Sequence, residues 1–361
     1  MRLQVTQENL ARALNTVARV ATTRNTLPIL ANVLLKTIDN RLSIAATNLD
    51  IAITHQIGSK IQKTGAITVP ARLMQDFVTS LPDSVLDLEL KDNKLSIATD
   101  KYHSTINGIS AEDFPLMPAI KGGTNWKIPA GELKKGLQKV VFAASNDEAR
   151  PVLTGVYFHV LGGEALVVAT DSYRLAEQKM GKHKSKLNFL VPSSAASDLL
   201  RIMSDSSDEL TITHDDQQVL FQVDDITLVA RLIEGNYPDY KKLIPSKFAV
   251  VAKLRREDFI NIAKVSSLFA RESAGSITIN AEGKNVSINA IASQLGENTA
   301  EADAEVKGAG EVTLNSRYLI EALNAYSGDN IEFCFNGKLE PCILRSSNDA
   351  SYLHLIMPLR S

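Results

Sequence analysis

The sequence has few of the residues on which redox, metal and cofactor chemistry depend. Its 361 residues include two cysteines, six histidines and one tryptophan, and aromatic residues make up only 6%. Two cysteines cannot form a four-ligand zinc site, and the histidines are scattered without ligand spacing. The low aromatic content also argues against one large aromatic-lined cofactor cavity. We therefore predict no cofactor and no metal, and we expect Cys334 and Cys342 to be a buried, reduced pair.

Signals for membranes, secretion and catalysis are also lacking. No apolar run approaches the roughly 18 residues of a membrane span, and the opening MRLQVT does not resemble a signal peptide, so we expect a cytoplasmic protein. The GxxxxGK[ST], GxSxG and HExxH motifs are absent, which disfavours an enzyme. A net charge of −2 does not indicate a nucleic-acid binder, but it leaves room for a basic surface on one face.

The sequence does contain a threefold repeat. The segment Ala169–Leu175 (ATDSYRL) has counterparts in Ala45–Ile51 (AATNLDI) and, more loosely, in Asn289–Leu295 (NAIASQL), about 120 residues to either side. Each repeat opens with a short strand and an amphipathic helix, the first helix being expected over about residues 7–21. The apolar stripes of these helices are Leu10, Leu14, Val17 and Ala21; Leu133, Leu137, Val140 and Ala144; and Phe259, Ile262, Ala263 and Ser266.

Each repeat then starts again at half length. Segments at Ile67–Arg72, Phe189–Pro192 and Val312–Arg317 lead into second helices, where Asp76, Asp198 and Glu321 occupy one common position. Every repeat thus contains two βαβββ units, whose two helices can pack side by side on antiparallel sheets. We predict an α+β protein of three tandem domains, residues 1–122, 123–245 and 246–361, with short polar junctions.

This organisation resembles the bacterial sliding clamps, the beta subunits of DNA polymerase III. The matching motifs are Thr26–Leu30 (TLPIL), Val69–Arg72 (VPAR), Ala169–Leu175, Tyr237–Tyr240 (YPDY) and Met357–Arg360 (MPLR), in order along the whole chain. The resemblance implies the DNA clamp fold. Two chains would form a ring-shaped homodimer with pseudo-sixfold symmetry that encircles duplex DNA and tethers the polymerase.

A sliding ring needs cations that contact phosphates without reading bases, because phosphate contacts carry no sequence information. All six predicted helices supply at least one cation, although ordinary solvated helix faces would look the same. Arg24 and Arg150 resemble loop residues that touch the threaded DNA. The complete DNA-binding set is Arg12, Arg19, Arg24, Arg72, Lys134, Lys135, Lys139, Arg150, Arg201, Lys264 and Arg317.

The resemblance also places a pocket for short partner peptides beside Ala169–Leu175. Taken alone, Thr170–Arg174 is equally typical of a polar turn between two strands. The implied pocket would have apolar walls and a few polar groups, which suits a peptide with aliphatic and aromatic anchors. Its residues are Leu153, Thr170, Tyr173, Arg174, Leu175, Pro238, Lys242, Leu243, Pro341, Leu355, Ile356, Met357, Pro358, Leu359 and Arg360.

Ring closure requires the first domain of one chain to meet the third domain of the other. By the resemblance, Leu268 and Phe269 pack across this interface. The acidic residues Glu297, Glu301, Asp303 and Glu305 would face Arg72, Lys101 and His103, unless the acidic run is simply a solvated loop.

The implied partners bind either the hole or the pocket. They are double-stranded DNA, the catalytic subunit of the replicative polymerase, the clamp loader, other polymerases, ligase and mismatch-repair proteins. A duplicated, open DNA-binding scaffold is the alternative; it would hold linear DNA as well as circular DNA.

Overall fold

The computed structural model describes residues 1–21, 27–115, 120, 122–184, 186–203, 209–293 and 296–360. The chain forms two compact units. Unit 1 contains Met1–Gly131 and Ser197–Leu232, and unit 2 contains Glu132–Ala196 and Ile233–Ser361.

The helices and strands follow one order three times. The first repeat contains β1 (Arg2–Thr6), α1 (Gln7–Val17), β2 (Asn32–Ile38), β3 (Arg41–Thr47), β4 (Ile51–Gly58), β5 (Lys60–Lys63), β6 (Ala66–Pro70), α2 (Ala71–Ser80), β7 (Val85–Lys91), β8 (Lys94–Ala98) and β9 (His103–Asn107). The second contains β10 (Thr124–Pro129), α3 (Ala130–Val140), β11 (Gly155–Leu161), β12 (Glu164–Thr170), β13 (Arg174–Lys182), β14 (Asn188–Pro192), α4 (Ser193–Ile202), β15 (Glu209–His214), β16 (Gln218–Val223) and β17 (Ile226–Arg231). The third contains β18 (Val250–Arg255), α5 (Arg256–Phe269), β19 (Ser276–Glu282), β20 (Asn285–Ala292), β21 (Gly296–Lys307), β22 (Gly310–Asn315), α6 (Ser316–Ala325), β23 (Asn330–Phe335), β24 (Cys342–Ser346) and β25 (Asp349–Ile356). Apart from β5, this confirms the predicted double βαβββ pattern.

The two halves of each repeat exchange their opening strands. β1 pairs with β7 of the second half, and β6 pairs with β2 of the first half. The same exchange joins β10 to β15 and β14 to β11, and then β18 to β23 and β22 to β19. All these pairs are antiparallel, so each half of a repeat completes the sheet of the other half.

The helices bury one apolar stripe each against these sheets. In α1, Leu10, Leu14 and Val17 are fully buried, which stabilises the fold by roughly 1.5–3 kcal/mol for each large side chain. The Thr6 hydroxyl accepts the Asn9 N–H and so caps the start of α1. The helix ends at Val17, earlier than the predicted Ala21.

Helix α3, the first helix of the second repeat, also ends earlier than its apolar stripe predicts. α3 ends at Val140, and a short 3₁₀ turn, Val141–Ala143, separates it from Ala144. A 3₁₀ turn has about three residues per turn, close to the value of an α-helix. Apolar residues in or just after such a turn therefore keep nearly helical spacing. The apolar stripe therefore extended the predicted helices too far.

Two sheets continue from one repeat into the next. In unit 1 the last strand of the second repeat, β17, pairs antiparallel with β4 of the first repeat. In unit 2 the last strand of the third repeat, β25, pairs with β13 of the second repeat in the same way. The last strand of the first repeat, β9, is instead the edge of its sheet in unit 1.

Neither cysteine is available for redox chemistry. Cys334 and Cys342 are both buried and free, as predicted. Cys334 pairs with Ile343 across β23 and β24, so Cys342 points to the opposite face of the sheet. Burial raises the pKa of Cys334 to about 11 and raises that of Cys342 as well. Within the described ranges, no helix is long and apolar enough to cross a membrane, and no three metal-ligating side chains cluster.

Candidate peptide pocket and DNA-facing surface

The segment Thr170–Arg174 forms a rigid turn between β12 and β13. The Thr170 hydroxyl donates to the carbonyl of Arg174 at 2.6 Å, and Asp171 Oδ1 accepts the N–H groups of Tyr173 and Arg174, both at 2.9 Å. Ser172 has a left-handed φ of 76°. The turn leaves the Tyr173 side chain 61% exposed, so an aromatic ring stands free at the tip.

The first repeat builds the same turn from different residues. Thr47 donates to the Ile51 carbonyl at 3.0 Å, Asn48 Oδ1 accepts the N–H groups of Asp50 and Ile51, and Leu49 has a φ of 79°. The threonine and the following Asn or Asp therefore act structurally, as the turn interpretation of the sequence held. The third counterpart, Asn289–Leu295, ends in Gln294 and Leu295, which lie outside the described residues.

Arg174 is what distinguishes the turn in unit 2. Its side chain is buried, and its Nε donates to Asp171 Oδ2 at 3.1 Å while its Nη2 donates to the Phe142 carbonyl at 2.6 Å. Nη1 forms an ion pair with Glu321 of α6. The guanidinium also lies 4.4 Å from the ring centroid of Tyr318. A charge that is buried, paired and hydrogen-bonded in this way holds the turn against α6.

An apolar surface lies next to this turn. Leu175 and Leu355 belong to a buried cluster against which Met357 packs. The Met357 N–H donates to the Tyr173 carbonyl at 2.7 Å, and the Leu359 N–H donates to the Thr313 carbonyl at 2.8 Å, so the C-terminal segment is fixed beside the turn.

The remaining predicted pocket residues fall into three groups by exposure. Leu153, Thr170 and Ile356 are buried, whereas Pro341, Met357, Pro358 and Leu359 are half-buried. Pro238, Lys242, Leu243 and Arg360 are exposed. Such a mixture of buried floor and accessible rim is what an apolar cup for a short peptide requires.

A buried polar network anchors the segment that carries Pro238, Lys242 and Leu243. The Tyr240 hydroxyl donates to Glu177 at 2.6 Å and lies 2.8 Å from His159 Nε2, and Lys241 pairs with the same carboxylate. Burial first, and then the Glu177 charge, raise the pKa of Tyr240, while burial lowers that of His159. Sequence reasoning missed Glu177, His159 and also Phe142, Tyr318 and Glu321 around Arg174. Only the common helix position of Glu321 could have drawn attention to that residue.

Four arginines of unit 1 line two neighbouring clefts. A cleft of about 610 Å³ is lined by Arg19, Arg72 and Arg201, and a neighbouring cleft of about 380 Å³ is lined by Arg12, Arg19 and Arg201. Asp198 lies in both clefts and pairs with Arg201 at 2.8 Å; burial raises the pKa of Asp198. Arg19 was predicted on the helix, which is wrong, since it follows the end of α1 at Val17.

Several cations of unit 2 are already engaged by protein groups. Lys139 pairs with Asp349, Arg317 lies 3.9 Å from Glu321, and Arg150 donates to the Ser172 hydroxyl at 3.1 Å. Lys135 and Lys264 are exposed, and Lys134 is half-buried. Arg24 lies outside the described residues.

The predicted interface residues are accessible. Leu268 is 51% exposed, and Phe269 is half-buried at the end of α5. Glu297, Glu301, Asp303 and Glu305 are all exposed on one face of β21. The alternative of a solvated loop is therefore wrong, because this run is a twelve-residue strand. Arg72, Lys101 and His103 are exposed, and His103 opens β9.

Three double-βαβββ repeats, joined by sheets that continue across repeats, define a DNA clamp. Sequence profiles of the DNA polymerase III beta subunit match the chain in order, with the N-terminal domain over residues 1–118, the central domain over 127–239 and the C-terminal domain over 241–360. The chain belongs to this family, the bacterial sliding clamps.

Individual relatives agree in length and fold. The beta sliding clamp of Staphylococcus epidermidis is 29% identical over 375 residues, and that of Staphylococcus aureus is 28% identical, with 100% of both chains covered in each case. The solved sliding clamp of Bacillus subtilis has a TM-score of 0.96 at 27% identity, covering 100% of this chain and 99% of the other. A Bartonella birtlesii clamp solved with griselimycin bound has a TM-score of 0.96 at 28% identity over 100% of both chains. The protein is thus a processivity factor for DNA polymerase, of a family whose members are non-catalytic and are typically ring dimers.

Proposed function

We propose that two copies of this chain close head to tail into a ring around duplex DNA. The observation that carries this proposal is the pattern of strand pairing between repeats. The last strand of a repeat pairs with the third strand after the first helix of the preceding repeat, as β17 does with β4 and β25 with β13. By the same rule β9 needs the partner strand β21, and a second copy supplies it.

Both strands have the free edge that this pairing needs. Among the described strands, β9 pairs with β8 alone and ends its sheet. β20 pairs with one side of β21 over Gly296–Asp303. On the other side of β21, β18 pairs only with Ala304–Lys307, so that side of Gly296–Asp303 has no strand partner in the described parts of the chain. Unpaired edges are a ready template for strand addition.

The charges and apolar side chains next to these edges support the same contact. The acidic face of β21 carries Glu297, Glu301, Asp303 and Glu305, while Lys101 lies just before β9 and His103 opens it; Arg72 on α2 is exposed as well. Leu268 and Phe269 would supply the apolar centre. Such a head-to-tail contact closes after two copies, giving six domains with proposed boundaries at 1–122, 123–245 and 246–361.

The ring would hold DNA by phosphate contacts alone. The arginines that line the two clefts of unit 1 would contact phosphates, and Lys134, Lys135, Lys139, Arg150, Lys264 and Arg317 would add contacts from unit 2. Long side chains without base-edge geometry give sequence-independent, salt-sensitive binding, which suits a protein that must slide.

Partners would dock by a short peptide in the pocket beside Tyr173 and Met357. We propose that the polymerase catalytic subunit, the clamp loader, other polymerases, ligase and mismatch-repair proteins share this site in the cytoplasm. The clamp itself would supply position and no bond chemistry.

Retention on DNA of different topology tests the ring. Loaded protein should stay on nicked circular plasmid through gel filtration at about 150 mM salt. It should be lost within minutes after a single restriction cut, because free ends let a ring slide off. An open scaffold would remain bound equally before and after the cut, and that result would refute encirclement.

A further inference from the structure

Glu321 stands at the junction of the helix α6 and the pocket turn. It occupies the helix position shared with Asp76 and Asp198, yet its carboxylate pairs with Arg174 of the second repeat. A second cation, Arg317, lies 3.9 Å from the other carboxylate oxygen.

The ion pair reaches the pocket through a short chain of contacts. Glu321 holds Arg174, and Arg174 holds Asp171 through its Nε. Asp171 in turn accepts the N–H groups of Tyr173 and Arg174, which shape the tip of the turn. The Tyr173 carbonyl then accepts the Met357 N–H, so both sides of the proposed pocket depend on this turn.

The fold alone does not require this ion pair. In the first repeat the same turn forms with Ile51 at the position of Arg174. There Asn48 accepts the two backbone N–H groups, as Asp171 does in the second repeat. The pair gives little net stability compared with apolar packing, because the buried Arg174 charge loses its hydration and the Glu321 carboxylate loses part of its own. The pair therefore contributes something other than the turn itself, namely a fixed orientation of the turn relative to α6.

We propose that Glu321 is a positioning residue for the peptide pocket, acting through Arg174 on the turn that presents Tyr173. The proposal rests on the peptide-binding function proposed for this site. Without the Glu321 carboxylate, the buried guanidinium keeps only Asp171 as an anionic partner among the described ion pairs, and its contact with α6 is reduced to the Tyr318 ring. A wall that is no longer preorganised must be ordered when the peptide binds, which lowers affinity.

Fluorescence anisotropy on the full-length protein tests this with a labelled Gln-Leu-Ala-Leu-Phe peptide. Glu321→Gln keeps the shape and removes the charge, and it should weaken binding about tenfold. Glu311→Gln is the matched control, since Glu311 is another half-exposed glutamate of unit 2 that pairs with a cation, Lys338, at 2.8 Å. It should leave the affinity unchanged.

A double-mutant cycle separates positioning from general destabilisation. If Glu321 acts through Arg174, Arg174→Met and Arg174→Met/Glu321→Gln should bind the peptide equally, within twofold. Glu321→Asp, which restores the charge, should recover part of the affinity, and it also serves if Glu321→Gln fails to fold.

The outcomes distinguish this proposal from the pocket itself. If the wild type and Glu321→Gln bind the peptide with the same affinity, the proposed role of Glu321 is wrong, while the proposed pocket stands. Additive losses in the double mutant would likewise overturn action through Arg174. Failure of the wild type to bind the peptide at all would overturn the pocket, and this proposal with it.

Discussion

Leu268→Asp should break the proposed dimer while leaving the protomer folded. Leu268 lies near the C-terminal end of α5 with 51% of its surface exposed in the single chain. About half of its burial energy, roughly 1 kcal/mol, therefore remains to be gained at an interface. An aspartate at this site loses that gain, and its charge would be buried opposite an apolar surface without a partner.

The expected size of the effect follows from the symmetry of the ring. An unpaired charge at the centre of an interface costs about 3 kcal/mol, and a closed dimer contains the interface twice. The total of about 6 kcal/mol corresponds to more than four decades in the dissociation constant. Sedimentation velocity at 1–10 µM should therefore show a monomer of about 39 kDa in place of a dimer.

The chain offers a control of similar chemistry. Leu339 is 68% exposed and lies in the loop between β23 and β24, outside both strands that have open edges. Leu339→Asp adds the same charge to the surface and should sediment as the wild type does. If Leu268→Asp remains a dimer while its circular dichroism spectrum and melting temperature match those of the wild type, the interface lies elsewhere.

Two further predictions concern DNA and pH. The double variant Arg72→Ala/Arg201→Ala should reduce the slope of log affinity against log salt by about 0.9 per lost phosphate contact, equally for two duplexes of unrelated sequence. The control Lys338→Ala should leave the slope unchanged. A changed sequence preference would indicate that the protein reads bases. Burial lowers the pKa of His354 to about 3 in the folded protein. Between about pH 6.5 and 3 only the unfolded chain takes up this proton. The free energy of unfolding therefore decreases as the pH is lowered, and at pH 5 it is about 2 kcal/mol smaller than at neutral pH. Urea unfolding at pH 7.5 and 5 should show that His354→Asn removes this part of the acid sensitivity, and an undiminished acid sensitivity in this variant would refute the reasoning.

Repeat number, element order and most helix positions could be predicted because they depend on local patterns. Apolar residues at helical spacing, such as Leu10 and Leu14, are buried as expected. The exchange of opening strands could not be predicted, because β1 and β6 have similar alternating patterns and either could complete either sheet. Pairing partners far apart in sequence are chosen by tertiary packing, which leaves no local signal.

Sequence patterns do not reveal the ion-pair partner of a side chain when that partner is distant in sequence. Arg174 reads as an exposed turn residue beside Asp171, but its ion pair with Glu321 spans 147 positions. Lys139 reads as a solvated helix cation, yet it pairs with Asp349, 210 positions away. The sequence predicts which residues carry charge, whereas the fold decides which charges remain available to DNA or to a peptide.

Comparison of the repeats separates residues that build the fold from residues that give it a function. A function exerted by the whole ring gains from the same charge in several repeats, as with Arg12 and Lys135, which hold equivalent positions on α1 and α3. A function confined to one pocket must instead depend on positions where the repeats differ. At the two equivalent turns, the shared threonine forms the turn, while Tyr173 and Arg174 replace Asp50 and Ile51. The exposed ring and the buried guanidinium are both unnecessary for the turn, and burial of the guanidinium has a desolvation cost. The proposed peptide-binding role is therefore expected to depend on these two positions rather than on the residues that the two turns share.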